Sequence, residues 1–210
     1  MQKPVIVRKW QIFKVREFLS LNKILEALIF SDLVINSAYG LIAPILAVFL
    51  TDSISGGSLI VVGISDAIYL GVKSILQIPI GLKIDKTEGQ KIDFWYLFLG
   101  NLLTSAGVFL YLFATLPWHV YLISLIFGIG GAMAYPAWTG LFTRNVVRNR
   151  ESFAWSLSST TMELGEAAAA LIGGVVAQLL GFDILFGVVG ALSTLGTLSL
   201  FSFYKNLKES

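Results

Sequence analysis

Six long apolar stretches, separated by short polar turns, make up most of the chain. Because an α-helix rises 1.5 Å per residue, each stretch is long enough to cross the roughly 30 Å of hydrocarbon in a bilayer. The first is too long for a signal peptide and lacks a small-residue cleavage site. The pattern predicts six transmembrane helices, at residues 27–50, 58–80, 94–115, 120–142, 153–180 and 184–204. Pro44 and Pro79 offer break points in the first two.

Composition points to the same class of protein. Of the 210 residues, 56% are hydrophobic and only 13% are charged, whereas a soluble domain carries about 25% charged residues. One protein interior cannot bury so many apolar side chains, so most of them must face lipid. The expected fold class is therefore an all-α integral membrane protein.

Positive charge is confined to alternate turns. Every lysine and arginine except Lys73 lies before the first span, in the second or fourth turn, or after the last span. Because basic loops stay in the cytoplasm, we predict a multi-pass protein of the cell (inner or plasma) membrane with both termini cytoplasmic. The expected domains are a basic leader at 1–26, a six-helix membrane domain at 27–204 and a cytoplasmic tail at 205–210. The leader is either an interfacial helix on the inner membrane surface or a tail that only fixes topology.

Polar side chains inside the spans are the candidates for function. An ionisable group in the bilayer core costs about 2.5–3.5 kcal/mol, so such groups must face an interior or a watery cavity. Helical spacing gathers them into one stripe on each of the first, second and fifth spans. The candidates for binding substrate or protons are Asp32, Asn36, Asp66, Lys73, Glu163 and Glu166.

The depth of these groups suggests how they interact. Asp32, Lys73 and Glu163 lie at similar depths, which predicts one charge cluster across three spans. Lys73 and Asp66 are equally well explained as ion pairs that hold helices together. Glu163 and Glu166 are the stronger candidates for proton binding, because two acids near the midplane outnumber any local cation.

Enzymatic chemistry has little support in the sequence. There is no cysteine, and the one histidine, His119, is expected at the outer interface. The spans contain no serine–histidine pair and no cluster of metal-ligand residues. We therefore expect no enzyme activity, no catalytic residue, no metal, no cofactor and no nucleic-acid partner.

A motif after the second span carries a family resemblance. Residues 81–91 read GLKIDKTEGQK, and their Gly81, Asp85, Lys86 and Gly89 resemble the gate signature between helices 2 and 3 of the major facilitator superfamily. One extra residue separates Lys86 from Gly89. The motif follows the second span on the predicted cytoplasmic side, which is where the family carries it.

Two further segments resemble motifs of the same family. Residues 128–136 are similar to its fourth-helix motif, with Ser124 where that motif has arginine. Residues 165–174 are similar to the fifth-helix motif of the drug–proton antiporters, with Ala170 in place of its proline. The resemblance runs from the first span to the last.

The resemblance implies an architecture and a gate. Helices 1, 2, 4 and 5 would line a central cavity, helices 3 and 6 would stay outside, and the six would form two inverted three-helix repeats. Asp85 would latch the cytoplasmic gate by meeting the start of a fifth-type helix in the facing half. The local alternative for Asp85 is a solvated loop charge beside Lys83 and Lys86.

The number of spans leads to the expected assembly. Family members usually have twelve helices in two similar halves, so six helices leave one polar face open. We expect a homodimer about a two-fold axis along the membrane normal, with a heteromeric partner half as the alternative. The expected function is secondary active transport of small molecules by alternating access, as an antiporter that exports amphipathic or cationic compounds in exchange for protons. The alternative is a non-transporting membrane scaffold or subunit derived from a transporter half.

Overall fold

The computed structural model describes residues 22–87 and 89–207, and these residues form helices joined by short turns. Residues 1–21 of the predicted leader and the last three residues of the tail lie outside these ranges, so the interfacial helix stays a prediction. Two 3-10 segments, Tyr111–Phe113 and Leu200–Asn206, extend the helices that end at Leu110 and Ser199. The α-helices are α1 Lys23–Gly40, α2 Leu46–Asp52, α3 Leu59–Asp85, α4 Lys91–Leu110, α5 Pro117–Asn145, α6 Glu151–Leu180 and α7 Phe182–Ser199.

Five of these helices are long and apolar enough to cross a membrane, namely α3 to α7 with the 3-10 extensions of α4 and α7. They correspond to the second to sixth predicted spans. The first predicted span, 27–50, differs from the prediction because it is divided between α1 and α2. Helix α1 alone has 18 residues, and these include Lys23, Glu26 and Asp32.

Proline explains the interruption of the first span. Pro44 has no N–H to donate and disfavours helical backbone at the residue before it. The chain turns through residues 41–45, where the Leu46 N–H donates to Ile42 O at 2.8 Å. The break point at Pro44 is confirmed. In contrast, α3 continues through Pro79 and α5 through Pro136.

Side-chain caps fix where two helices begin. The Ser58 hydroxyl accepts from the N–H of Val61 at 3.3 Å and starts α3, and Asn22 Oδ1 accepts from the N–H of Ile24 at 3.2 Å and starts α1. Such caps satisfy donors that have no partner in the first turn. Asn22 Nδ2 also donates to Asn145 Oδ1 at 2.9 Å, which ties the start of α1 to the end of α5.

The helices pack in a continuous order. Helix α3 contacts α5, α5 contacts α4, α4 contacts α7, α7 contacts α1, and α1 contacts α6. One apolar cluster around Phe94, Phe142 and Phe203 fills the end of the bundle where α3 stops and α4 starts, which we call the basic end. A second cluster, around Phe49 and Phe186, fills the opposite end.

Helices α3 and α6 are the most exposed of the five spans. Only 11% of the apolar span is buried in each of them, against 44% in α7. They stand at the two ends of the packing order and flank one open face of the chain. The face between them is therefore the part of the bundle that lacks a neighbour.

Glycines permit close approach where the helices cross. A Cβ on Gly128 of α5 would lie 2.9 Å from the Tyr69 carbonyl oxygen of α3, and one on Gly130 would lie 2.7 Å from the Gly100 carbonyl oxygen of α4. On α6, a Cβ on Gly173 would collide with the Leu41 carbonyl oxygen. Small residues at such crossings let helix backbones pack directly against each other. The glycine-rich segment of α5 therefore holds α3 and α4 on either side of it.

Candidate functional site

The main cavity lies among α1, α3, α4, α5 and α6 and has a volume of about 530 Å³. Its charged lining residues are Asp32 of α1 and Lys73 of α3. Uncharged polar groups and aromatic rings complete the wall. The polar members are Asn36, Asn101 and Thr104, and the aromatic members are Tyr39, Tyr69, Phe127, Tyr135, Trp138 and Trp155.

Aromatic side chains surround the ammonium group of Lys73. Its Nζ lies 3.5 Å from the Tyr69 hydroxyl, 5.0 Å from the ring centre of Tyr135 and 5.6 Å from that of Tyr69. These separations are typical of cation–π contacts. Within residues 22–87 and 89–207, Lys73 forms no ion pair with Asp32 or Glu163. The two charges of the cavity, those of Asp32 and Lys73, therefore share a space without pairing.

Asp32 and Asn36 lie one turn apart on the cavity side of α1. Asn36 Nδ2 lies 2.8 Å from the Asp32 carbonyl oxygen and 3.5 Å from Met162 Sδ of α6. Asn36 thus connects α1 to α6 at the wall of the cavity. The structure brings together three predicted site residues here: Asp32, Asn36 and Lys73.

Glu163 and Glu166 occupy a different position. They line a second cavity of about 320 Å³ together with Gly40 and Pro44, where the first predicted span breaks. Both glutamates are exposed on the open face of α6, and the Ser159 hydroxyl donates to Glu163 Oε1 at 2.6 Å. Asp66 is exposed on α3 and lines neither cavity. The predicted site is therefore divided into two neighbouring regions.

The gate motif lies at the basic end of the bundle. Gly81 and Asp85 line a third cavity, of about 490 Å³, with Arg144 of α5. Lys86 is the exposed C-cap of α3. Gly89 has a φ of 86°, a left-handed conformation that glycine adopts without strain. Glu88, the residue before it, lies outside the described ranges.

An ion pair between a buried carboxylate and a partly exposed arginine lies behind the gate motif. Arg144 Nη2 is 2.7 Å from Asp93 Oδ2, and the Asp93 side chain is 0% exposed. This contact joins the start of α4 to the end of α5. Sequence reasoning placed both residues in turns and missed the pair, because hydropathy does not show which polar residues at helix ends face each other.

Other cavity residues were also absent from the predicted site. Asn101 could have been identified, since it is the strongest polar group in an otherwise apolar third span. Tyr135 follows the glycine-rich segment and directly precedes Pro136, which was a weaker signal. Trp138 and Trp155 gave no signal in the sequence, because an aromatic residue within an apolar span resembles an ordinary core residue.

Comparison with known families decides the class of the chain. The model of the Major Facilitator Superfamily matches residues 28–210. The chain belongs to the Major Facilitator Superfamily. No curated protein matches it in a sequence comparison. Together with the five apolar helices, membership makes it a multi-pass membrane protein, and members of this superfamily are transporters rather than enzymes.

Proposed function

We propose that this superfamily member is a secondary active transporter of small molecules that works by alternating access between two six-helix halves. The supporting observation is the main cavity, which Asp32, Asn36 and Lys73 line together inside the helical bundle. Charges inside a membrane domain are costly and usually mark a substrate or ion pathway. A cavity of about 530 Å³ is within the range of small-molecule sites.

The helix contacts favour two inverted three-helix repeats within the chain. With α2 counted as part of the first span, α1 corresponds to α5, α3 to α6 and α4 to α7. The contact between α3 and α5 then corresponds to the contact between α6 and α1. The contact of α4 with α5 has its counterpart in α7 with α1, and α4 with α7 is its own counterpart. This is the pairing expected for repeats related by an axis in the membrane plane. In this arrangement the broken first segment counts as the first of six spans.

The open face supports a homodimer. Ser156, Thr160, Glu163 and Glu166 are all exposed along α6. A second copy, related by a two-fold axis along the membrane normal, would cover this stripe and close one central cavity between the copies. A different half-length partner could cover the same face, and it stays the alternative.

Alternating access can be tested with a single cysteine, since the chain contains none. We expect Asn36→Cys in the main cavity to react with a membrane-impermeant thiol reagent from both sides, in right-side-out and in inverted vesicles. Leu195→Cys on α7 is the control, because Leu195 is 60% exposed among apolar residues and should face lipid. If Asn36→Cys does not react from either side, the scaffold alternative replaces the transporter.

Glu163 and Glu166 are the proposed proton sites, and their exposure on the open face fits protonation from a water-filled central cavity. In proteoliposomes with an imposed pH gradient, we expect Glu163→Gln to lower uptake to the level seen without a gradient. Asp183→Asn, at the exposed start of α7, should leave the response intact. The measurement is uptake of ethidium and of naphthalenesulfonate as cationic and anionic probes. Gradient-driven uptake that persists in Glu163→Gln would contradict the proton role.

A further inference from the structure

Lys73 is the cationic residue of the main cavity, and no carboxylate among the described residues forms an ion pair with it. Its near neighbours are the hydroxyl of Tyr69 and the rings of Tyr69 and Tyr135. A charge removed from water requires a counter-charge or a set of hydrogen bonds. Ring faces supply part of this stabilisation, but they leave the positive charge without an anion.

The bundle leaves room for the Lys73 side chain. A Cβ on Gly131 of α5 would lie 3.4 Å from Lys73 Cδ and 3.7 Å from its Cε. The lysine stem therefore passes over the bare backbone of Gly131, and its ammonium group reaches the cavity beside Tyr135. In this way the glycine-rich segment of α5 positions a cation as well as packing against α3 and α4.

Two tryptophan side chains form part of the cavity wall. The rings of Trp138 and Trp155 are in edge-to-face contact, with centroids 5.6 Å apart and an angle of 65° between their planes. Aromatic walls of this kind favour flat apolar bodies.

We propose that the main cavity binds an organic anion, with a flat aromatic body against the tryptophans and anionic oxygens on Lys73. The inference rests on the proposed transport function and specifies its substrate class. It also revises the expectation of a cationic substrate, which depended on counting Glu163 and Glu166 beside Lys73. Those two glutamates line a separate cavity, so Asp32 is the one acid that shares the main cavity with the lysine.

Binding to the purified protein in nanodiscs tests the substrate class without any ion gradient. Equilibrium dialysis would compare naphthalenesulfonate with naphthyltrimethylammonium, two permanently charged probes that share one ring system. We expect the wild-type protein to bind the anion about tenfold or more tightly than the cation. A tenfold difference in affinity is the size expected from one hydrogen bond to a charged group. Lys73→Gln should abolish this preference and Lys73→Arg should retain it. Lys83→Gln, near the exposed end of the same helix, should behave as wild type.

The affinities of the wild-type protein for the two probes test the substrate class even if a variant fails to fold. Equal or tighter binding of the cation, binding of neither probe, or anion binding that survives Lys73→Gln in a folded variant would each overturn the inference. Failure of the transport proposal has a different signature. In that case Asn36→Cys would react from one side of the membrane alone, even though the wild-type protein binds the anion.

Discussion

Replacing Arg144 with glutamine is expected to destabilise the protein by about 3 kcal/mol, the lower end of the cost of breaking a buried pair. The partner, Asp93, has a side chain that is 0% exposed, and its Oδ2 lies 2.7 Å from Arg144 Nη2. Neither oxygen of the Asp93 carboxylate has a hydrogen bond of good geometry within the described ranges. The charge of Arg144 is therefore the main stabilisation of this carboxylate. The lower end is appropriate because the Arg144 side chain is 36% exposed and water screens part of the interaction. The measurement is unfolding in detergent.

A double-mutant cycle separates the pair from general damage. Arg144→Gln combined with Asp93→Asn should recover much of the lost stability, because it removes the buried charge that the single variant leaves unpaired. Arg148→Gln, in the exposed turn that follows α5, is the matched control and should change stability by less than about 0.5 kcal/mol. Equal effects of the two arginine variants would show that the Asp93 contact contributes nothing.

The helices extend beyond the span ends that the hydropathy pattern predicts. The fourth span was predicted at 120–142, and the helix runs from Pro117 to Asn145. Pro117 lies at the first position of the helix, where its missing N–H costs nothing. Hydropathy marks the part of a helix that faces apolar surroundings, whereas backbone hydrogen bonds continue into the polar ends. For the same reason α3 extends to Asp85, beyond the predicted end at residue 80.

The candidate site shows that the sequence predicts positions along one helix but not positions between helices. Spacing along one helix correctly placed Asp32 and Asn36 on a common face, because 3.6 residues per turn fix that relation. It could not place Glu163 relative to Lys73, since that depends on how α6 and α3 stand in the bundle. The two helices lie at opposite ends of the packing order. The predicted cluster of Asp32, Lys73 and Glu163 therefore reduces to Asp32 and Lys73 in one cavity, with Glu163 in another.

The same separation of α3 and α6 makes the proposed homodimer testable at the gate. In that dimer, a two-fold axis along the membrane normal would place α3 of one copy against α6 of the other. Asp85, in the last turn of α3, would then meet the start of the partner's α6, which begins at Glu151. This is the contact that the gate-latch prediction requires. Both positions are exposed in the single chain, so they are available for it.

Chains carrying one cysteine each provide the test. We expect Asp85→Cys chains mixed with Ser152→Cys chains in one membrane to form a covalent dimer in high yield under mild oxidation. Because two like chains can also form a disulfide, the yield of each mixture is counted above that of its two cysteine chains oxidised separately. Asp85→Cys mixed with Leu179→Cys is the control, because Leu179 lies on the same helix about 40 Å further along its axis. The readout is a band of twice the chain mass in a non-reducing gel. If the Ser152 mixture gives no more of this band than the Leu179 mixture, then α3 does not meet α6 of a second copy, and the open face requires a different partner.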